Sequence, residues 1–246
     1  MTTVAVVVDW RDTPAVPCDL LNPAEQRVAQ GFPAWRRREW TAGRLTAHTA
    51  LLLAFGYRAH EVNILADLSG APATGLPRCA ISLSHSDSLS VGVATDESAS
   101  IGIDIEHVDR RITALTPRIT VPSTVIRDPL HATALWACKE AAIKVCRTGP
   151  FRMREYSVSF HDDGARVVVQ GRSAPLRASI RHFPGLRALM ATAAAAPGLE
   201  PALMCFDGTG AIRLLERSHR SGPYETSRNN FGDCLGTALH RKFPVD

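Results

Sequence analysis

The sequence predicts a mixed α+β fold, because two helical stretches are separated and followed by short strands. Residues 33–55 and 131–147 carry apolar side chains at helical spacing, and Gly56 and the pair Gly149-Pro150 supply stop signals. The segments between and after them alternate apolar and polar residues with the period of two that is typical of strands. The 246 residues are enough for one large domain or for two of about 100 residues each.

The elements follow in chain order, with turns marked by glycine and proline. Predicted strands cover residues 4–8, 80–94 (a hairpin that turns at Ser86-Asp87-Ser88), 100–106, 156–160, 165–170, 176–181 and 186–195. The last of these is rich enough in alanine to be a helix instead. Residues 14–23 and 117–129 are interrupted by prolines and predict irregular segments. The pattern fades beyond Pro197, and residues 218–230 have the polar composition of a disordered segment.

Composition excludes several classes of protein. The formal net charge of +4 is too small to indicate a nucleic-acid-binding protein. Six scattered cysteines without C-x-x-C spacing favour a reducing compartment over a disulfide scaffold. The first residues lack the basic start of a signal peptide, and the longest apolar stretches are too short to span a bilayer. We therefore expect a cytoplasmic protein with no membrane partner.

The strand at 100–106 presents two carboxylates on one face. Its alternating isoleucines point one way, so Gly102, Asp104 and Glu106 point the other way. Such a pair has three readings: a general acid and base, a metal site, or a surface feature. Oxygen ligands without His or Cys suit Mg²⁺, which takes a few carboxylates and completes its octahedron with water and phosphate oxygens.

The helix at 131–147 supplies further candidates. Glu140 and Lys144 are one turn apart, which also fits an ordinary pair of surface charges. However, the chain has only three lysines among 28 basic residues, and two of them, Lys139 and Lys144, flank Glu140. An ammonium group can contact a phosphate as a compact point charge and can pass on a proton. The pattern therefore favours a phosphate-binding role for both lysines.

A basic stripe runs along the helix at 33–55. Arg37, Arg44 and His48 fall on one side of the helical wheel between apolar flanks. Buried cations need partners, and either a phosphate ligand or an internal carboxylate would serve here. Arg36 and Arg38 compete with Arg37 for the role, since the triplet could equally be a solvated turn of helix.

Two of these segments together resemble a known signature. Gly102-Ile-Asp-Ile-Glu106 and Trp136-Ala-Cys-Lys-Glu-Ala-Ala-Ile-Lys144 are similar to the paired motifs of phosphopantetheinyl transferases, G-[IV]-D-x-E followed by W-x-x-K-E-x-x-x-K. Three shorter matches lie upstream: Ile81-Ser-Leu-Ser-His-Ser86 to an S-H-S strand, Gly70-Ala-Pro72 to a G-x-P turn, and the helix at 36–52 to a basic R…GR…AL segment. The similarity covers residues 33–160.

The resemblance implies the long Sfp type of this family, a pseudo-dimer of two similar α/β halves with the active site at the cleft between them. Residues 1–106 would form the first half and 107–196 the second, followed by an extension of unknown role at 197–246. A monomer is expected. The reaction would move the 4′-phosphopantetheine group of coenzyme A to a serine of an apo acyl or peptidyl carrier protein, leaving 3′,5′-ADP.

The resemblance also implies roles for individual residues. Mg²⁺, or Mn²⁺ in its place, would be held by Asp104, Glu106 and Glu140. Glu140 or a metal-bound water would be the base, and Lys144 would stabilise charge on the transferred phosphate. The remaining assignments concern coenzyme A: its phosphates would contact Arg37, Arg44, His85, Lys139 and Lys144, and its adenine would lie near Ser84 and the Gly70–Pro72 backbone.

The sequence departs from the family pattern at three places, and these departures leave a function without catalysis open. The family often carries a Phe-x-x-x-Glu segment in its carrier-docking region, whereas residues 118–130 contain no glutamate. Ala71 and His48 stand where basic residues are common in the family. A protein that binds coenzyme A or a carrier without catalysis therefore stays open. Another Mg²⁺-dependent phosphotransferase is disfavoured, because no P-loop is present.

Overall fold

The computed structural model describes residues 2–96, 100–120, 125–126, 128–147, 153–195 and 199–220. Within these ranges the chain is a mixed α+β protein with five α-helices and three sheets. The helices are α1 (Pro23–Gln30), α2 (Ala34–Phe55), α3 (Arg110–Ile119), α4 (Pro129–Cys146) and α5 (Gly208–Arg220). The strands are β1 (Thr3–Asp9), β2 (Leu65–Ala66), β3 (Pro72–Ala73), β4 (Ala80–Ser86), β5 (Leu89–Thr95), β6 (Ile101–His107), β7 (Tyr156–His161), β8 (Gly164–Val169), β9 (Leu176–Phe183), β10 (Ala188–Ala194) and β11 (Ala202–Asp207).

Two larger sheets carry the fold. The first has the strand order β11-β1-β5-β4, in which β1 is parallel to β11 and antiparallel to β5. The second has the order β6-β10-β9-β8-β7 and is antiparallel throughout. Strands β2 and β3 form a two-stranded sheet of their own. β4 and β6 are therefore edge strands of the two larger sheets.

The sheets pack on each other, and helices cover their outer faces. In β1, Val4, Val6 and Val8 belong to a core with α2 and α5, while Ala5 and Val7 belong to a core shared with the second sheet. This alternation follows from the period of two along a strand. The isoleucines of β6 join the shared core, as their spacing predicts. The alanine-rich face of α4 packs on the other side of the second sheet.

The two long helices confirm the sequence pattern. α2 ends at Gly56, which adopts a left-handed backbone (φ +77°) that lacks the steric penalty of a side chain. α4 begins at Asp128, whose side chain accepts a hydrogen bond from the His131 amide. It ends one residue before Arg147, which takes the left-handed conformation itself (φ 49°). The predicted stop at Gly149-Pro150 lies outside the described residues.

The ambiguous stretch at 186–195 contains strand β10, not a helix. It lies between β6 and β9, and its small side chains let the alanines of α4 pack closely above it.

Other expectations were wrong for elements that are short or contain a proline. The sequence pattern does not predict α1. This helix begins at Pro23, the last residue of the irregular segment, because Asn22 and Glu25 make a reciprocal capping box. α3 forms in spite of Pro117, with Asp109 as its N-cap. The described part of the tail is also ordered into β11 and α5, although its pattern seemed lost after Pro197.

The boundary between the two larger sheets falls between β5 and β6. β6 pairs with β10 in the second sheet, while β5 pairs with β1 and β4 in the first. The tail returns to the first sheet, because β11 pairs with β1 and α5 contributes Ala211 and Leu215 to the core under α2. In the described ranges, every helix is too short or too polar to cross a membrane.

Candidate functional site

The two carboxylates of β6 lie on the face that α4 covers. Asp104 is opposite Ala191 of β10, and Glu106 is opposite Leu189; both of these neighbours pack against α4. Asp104 is almost fully buried (2% exposed), and Glu106 is half-buried near the end of the strand. The predicted orientation of this strand is therefore confirmed.

Gly102 allows α4 to approach this strand. A Cβ atom at Gly102 would overlap the carbonyl oxygen of Ala141 and would come within 3.1 Å of the Lys144 Cβ. Only a residue without a side chain leaves room for the helix backbone at this point. The glycine of the first motif therefore brings the second motif into contact with the first.

Lys144 connects the two motifs directly. Its Nζ donates to the Ile103 carbonyl oxygen and to Asp104 Oδ1, each at 2.8 Å. An ammonium group has three donors, so one N–H of Lys144 stays available for a ligand. Glu140, one turn earlier on α4, is half-buried. Burial raises its pKa, the negative charge of Asp104 raises it further, and Lys144 opposes both effects.

The S-H-S strand β4 contributes hydroxyl groups from the other sheet. Ser84 Oγ donates to Asp104 Oδ1 at 2.6 Å, and Ser86 Oγ donates to Glu106 Oε2 at 3.1 Å. The family resemblance implies that Ser84 lies near an adenine, whereas its hydroxyl donates to a carboxylate in the structure. The candidate site thus lies where β4 of the first sheet meets β6 of the second.

The charges at this site are not balanced by the described side chains. Burial and then the charge of Asp104 raise the pKa of Glu106 from its ordinary value of 4.5 to about 7. Asp104 Oδ2 is buried and has no hydrogen-bond partner among the described residues. A buried carboxylate oxygen without a partner is costly, and a bound cation would satisfy it. The donor set therefore fits a divalent metal that prefers oxygen.

The described side chains do not provide a complete set of metal ligands. Among these residues, no group of three or more His, Cys, Asp and Glu side chains is arranged to hold a metal ion. Mg²⁺ commonly binds one or two carboxylates and takes its other ligands from water and substrate phosphates. Asp104 and Glu106 therefore fit Mg²⁺ as a partial site that a phosphate ligand would complete.

Lys139 does not reach the carboxylates. Its side chain is buried (2% exposed), and Nζ donates to the carbonyl oxygens of Ile119 at 2.6 Å and Met153 at 2.8 Å. Neighbouring residues point about 100° apart on a helix, so Lys139 and Glu140 face different surroundings. Burial lowers the pKa of Lys139 to about 8. In this conformation the ammonium ties α4 to the end of α3 instead of facing a coenzyme A phosphate.

Arg37 is also engaged within the fold. Its guanidinium donates to the carbonyl oxygens of Ala29, Gln30 and Phe32 at the C-terminal end of α1. Arg38 donates to two other carbonyl oxygens, those of Trp10 and Thr13.

Arg36 makes a looser contact than its two neighbours. Its ion pair with Glu39 is long at 3.5 Å and half-exposed. Of the three adjacent arginines, Arg36 is therefore the better placed to meet an anion.

The other two residues of the basic stripe, His48 and Arg44, differ in whether the fold supplies a partner for their side chains. His48 Nε2 lies 2.8 Å from Glu25 Oε2, and both side chains are fully buried. An internal carboxylate therefore pairs with Nε2, while Nδ1 has no hydrogen-bond partner among the described residues. Arg44 is 8% exposed and stacks 4.6 Å above the Trp40 ring. Its Nε has no hydrogen-bond partner among the described residues, and burial lowers its pKa to about 10. Arg44 keeps a donor for a ligand.

His85 lies between the basic helix and the carboxylates. Burial lowers its pKa, with opposing effects from Glu39 and Asp104 that raise it and from Arg36 and Lys144 that lower it further. These interactions place the start of α2 near the site, a proximity that spacing along the chain does not reveal.

The turn at Gly70 and Pro72 is held close to the end of α4. Asp67 accepts hydrogen bonds from the Ser69 and Ala71 amides within the turn. Its other oxygen lies 3.3 Å from Arg147 Nη1, just beyond α4. This contact joins the turn to the helix that carries Lys144, although it is an exposed ion pair of small energetic weight.

A pocket of about 700 Å³ opens beyond the end of β6. Its lining combines charged and apolar side chains: Arg11, His107, Val108, Asp109, Pro129, Leu186 and Arg187. The sequence does not reveal this pocket, because its lining comes from four separate segments that meet only in the folded chain. It follows Glu106 directly along β6.

No family model matches this chain, and no curated protein matches it at a significant level.

Proposed function

We propose that this protein is an Mg²⁺-dependent phosphopantetheinyl transferase. It would take coenzyme A and an apo acyl or peptidyl carrier protein, and release the holo carrier and 3′,5′-ADP. The single observation that carries the proposal is the direct bond between the two motifs, from Lys144 Nζ to Asp104 Oδ1 at 2.8 Å. Two segments that are far apart in sequence thereby form one cluster of three carboxylates and an ammonium group.

The proposed reaction uses the residues of this cluster. The hydroxyl oxygen of the carrier serine attacks the phosphorus that bears the pantetheine arm, and the pyrophosphate P–O bond breaks as 3′,5′-ADP leaves. Glu140 accepts the serine proton, because its raised pKa brings it closer to the neutral range that suits a general base. The remaining donor of Lys144 contacts the transferred phosphate. Mg²⁺ held by Asp104 and Glu106 as a partial site would offset the negative charge of the pyrophosphate.

The coenzyme A site is proposed beside this cluster. The guanidinium groups of Arg36 and Arg44 and the imidazole of His85 lie on the side of β4 and α2, so they would bind its phosphates in place of Arg37 and Lys139. The turn at Gly70 and Pro72 would lie near the adenine. Arg147 supports this placement, because it links the turn to the end of the catalytic helix.

The pseudo-dimer forms part of the same proposal. The two sheets share part of their strand order. In the first sheet β1 is next to β5, and β4 lies on the other side of β5. In the second sheet β6 is next to β10, and β9 lies on the other side of β10. A long helix covers each sheet, α2 on the first and α4 on the second. This shared order supports two related halves with the site where they meet.

The test uses the full chain with coenzyme A, Mg²⁺ and a panel of apo carriers. Mass spectrometry should show at least one carrier gaining the phosphopantetheine mass, with no gain when EDTA is present. Glu140→Gln should slow transfer by about 10²- to 10⁴-fold, as expected for loss of a general base. Asp104→Asn should also abolish most activity while keeping the shape of this buried side chain. Glu216→Gln on α5 is the matched control, and full activity in both site variants would exclude the mechanism.

A second candidate is a protein that binds coenzyme A or a carrier without transferring anything. It is favoured by one observation: Arg37 and Lys139, both expected to contact coenzyme A, are engaged by backbone carbonyls of the fold. Calorimetric binding of coenzyme A combined with no mass gain on any carrier would select this candidate. Transfer to one carrier would reject it.

A further inference from the structure

A row of serines joins the edges of the two sheets. Every second residue along this part of β4 is a serine: Ser82, Ser84 and Ser86. The alternate side chains of Ile81 and Leu83 pack in the core with α2. Ser82 Oγ accepts a hydrogen bond from the Ile103 amide at 3.2 Å. The next two serines instead contact the carboxylates of β6. Hydroxyl groups of β4 thus contact β6 at successive positions.

Ser84 determines how Asp104 is oriented. Oδ1 receives two hydrogen bonds, from Ser84 Oγ at 2.6 Å and from Lys144 Nζ at 2.8 Å. Oδ2 receives none from the described residues. A hydroxyl has one proton to donate, so Ser84 cannot keep this bond and also donate to a nucleotide. Its bond, together with that of Lys144, leaves Oδ2 as the oxygen available to a cation.

Ser86 has the corresponding position at Glu106. Its hydroxyl donates to Oε2 at 3.1 Å, and its oxygen accepts from the His107 amide at 3.4 Å. The backbone bond restricts the hydroxyl and therefore the direction in which it donates. The first sheet therefore holds Oε2 of Glu106 through the Ser86 hydroxyl, while the backbone of Glu106 belongs to the second sheet.

We propose that Ser84 and Ser86 are positioning residues that present one oxygen of each carboxylate to a divalent cation. This inference rests on the proposed function. The two serines touch no substrate in this role and act only through Asp104 and Glu106. Hydrogen-bond partners of this kind orient metal ligands, and their loss typically weakens metal binding by about 10- to 100-fold.

The experiment measures Mn²⁺ binding to the full chain, with and without coenzyme A, by the loss of the electron paramagnetic resonance signal of free Mn²⁺. Ser84→Ala and Ser86→Ala should each raise the dissociation constant by about tenfold or more. Ser86→Thr should retain most of the affinity, because threonine keeps the hydroxyl and suits a strand. Ser82→Ala is the matched control, since its hydroxyl contacts the Ile103 amide and no carboxylate.

Thermal unfolding of each variant accompanies the titrations and separates positioning from folding. Weaker Mn²⁺ binding in the Ser84 and Ser86 variants, with unchanged binding in Ser82→Ala, supports the inference. Equal weakening in all three variants would overturn it, because the effect would then come from the joined strands in general. Unchanged affinity in all three would overturn it as well. A wild-type chain that binds no Mn²⁺ in either condition would overturn the proposed function and this inference together.

Discussion

At the scale of single residues, the surroundings of Glu106 change the acidity of its carboxyl group strongly. It lies beside Asp104 in a site with one nearby ammonium group, and its pKa is raised to about 7 by burial and by that neighbour. In the unfolded chain the same group loses its proton near 4.5. Between these two values the metal-free folded protein holds a proton that the unfolded chain does not. Its free energy of unfolding should therefore fall as the pH rises from about 4.5 to about 7.

Replacing Glu106 by glutamine should remove this dependence, because an amide does not ionise. We expect Glu106→Gln to stabilise the metal-free protein at pH 8 by about 1 to 3 kcal/mol, since one pKa unit corresponds to about 1.4 kcal/mol, and to have little effect at pH 5. Urea unfolding in EDTA at the two pH values measures the difference. Glu216→Gln is the control, and an equal gain at both pH values would contradict the explanation.

The sequence predicts the residues of this site better than it predicts their partners. Alternation along β6 was enough to place Asp104 and Glu106 on one face, because a strand allows only two directions. It could not show that Lys139 binds the Ile119 and Met153 carbonyls, or that Arg37 caps α1. Those partners come from segments distant in the chain, and a cation next to a backbone carbonyl leaves no pattern in the sequence.

At the scale of elements, the contact between α4 and β6 sets the geometry of the site. Gly102 has no side chain at the point where the Ala141 carbonyl meets the strand. An alanine there would push the helix outwards and draw Lys144 away from Asp104. The glycine of the first motif is thus a packing requirement.

Gly102→Ala should therefore lower both stability and activity. Overpacking of this kind costs about 1 to 3 kcal/mol, and the displaced Lys144 would slow transfer further. Gly185→Ala is the matched control, because a Cβ atom at that position meets nothing within 4 Å. Differential scanning calorimetry and the carrier assay measure the two effects. If Gly102→Ala keeps the melting temperature and the transfer rate of the wild-type protein, the helix can move without cost.

The long elements were predictable and the short ones were not, for a physical reason. α2 and α4 bury many residues and carry clear signals at their ends, so local sequence determines them. α1 is stabilised by a capping box and by Glu25, which bonds His48 of another helix. β11 forms because β1 offers a free edge for parallel pairing, and α5 forms where its apolar residues reach the core under α2.

At the scale of the whole molecule, one core connects the two sheets. It contains Ala5 and Val7 from β1, the inward face of β5, and the isoleucines of β6, together with residues that precede or belong to β10. Each half therefore buries part of its apolar surface only against the other half. Since the candidate site lies where β4 meets β6, its geometry depends on this shared core being intact.

Ile103 tests whether the two sheets unfold together. It is fully buried in the shared core, and Ile103→Ala should cost about 2 to 5 kcal/mol through lost burial and a cavity. If the core unites the molecule, hydrogen exchange should accelerate by a similar factor in β1 and β5 as in β9 and β10, since all would open in one cooperative step. Val168→Ala, on the exposed side of β8, should leave both regions protected. Faster exchange confined to the second sheet would mean that each half is stable alone, and the site would then be a contact between two independent units.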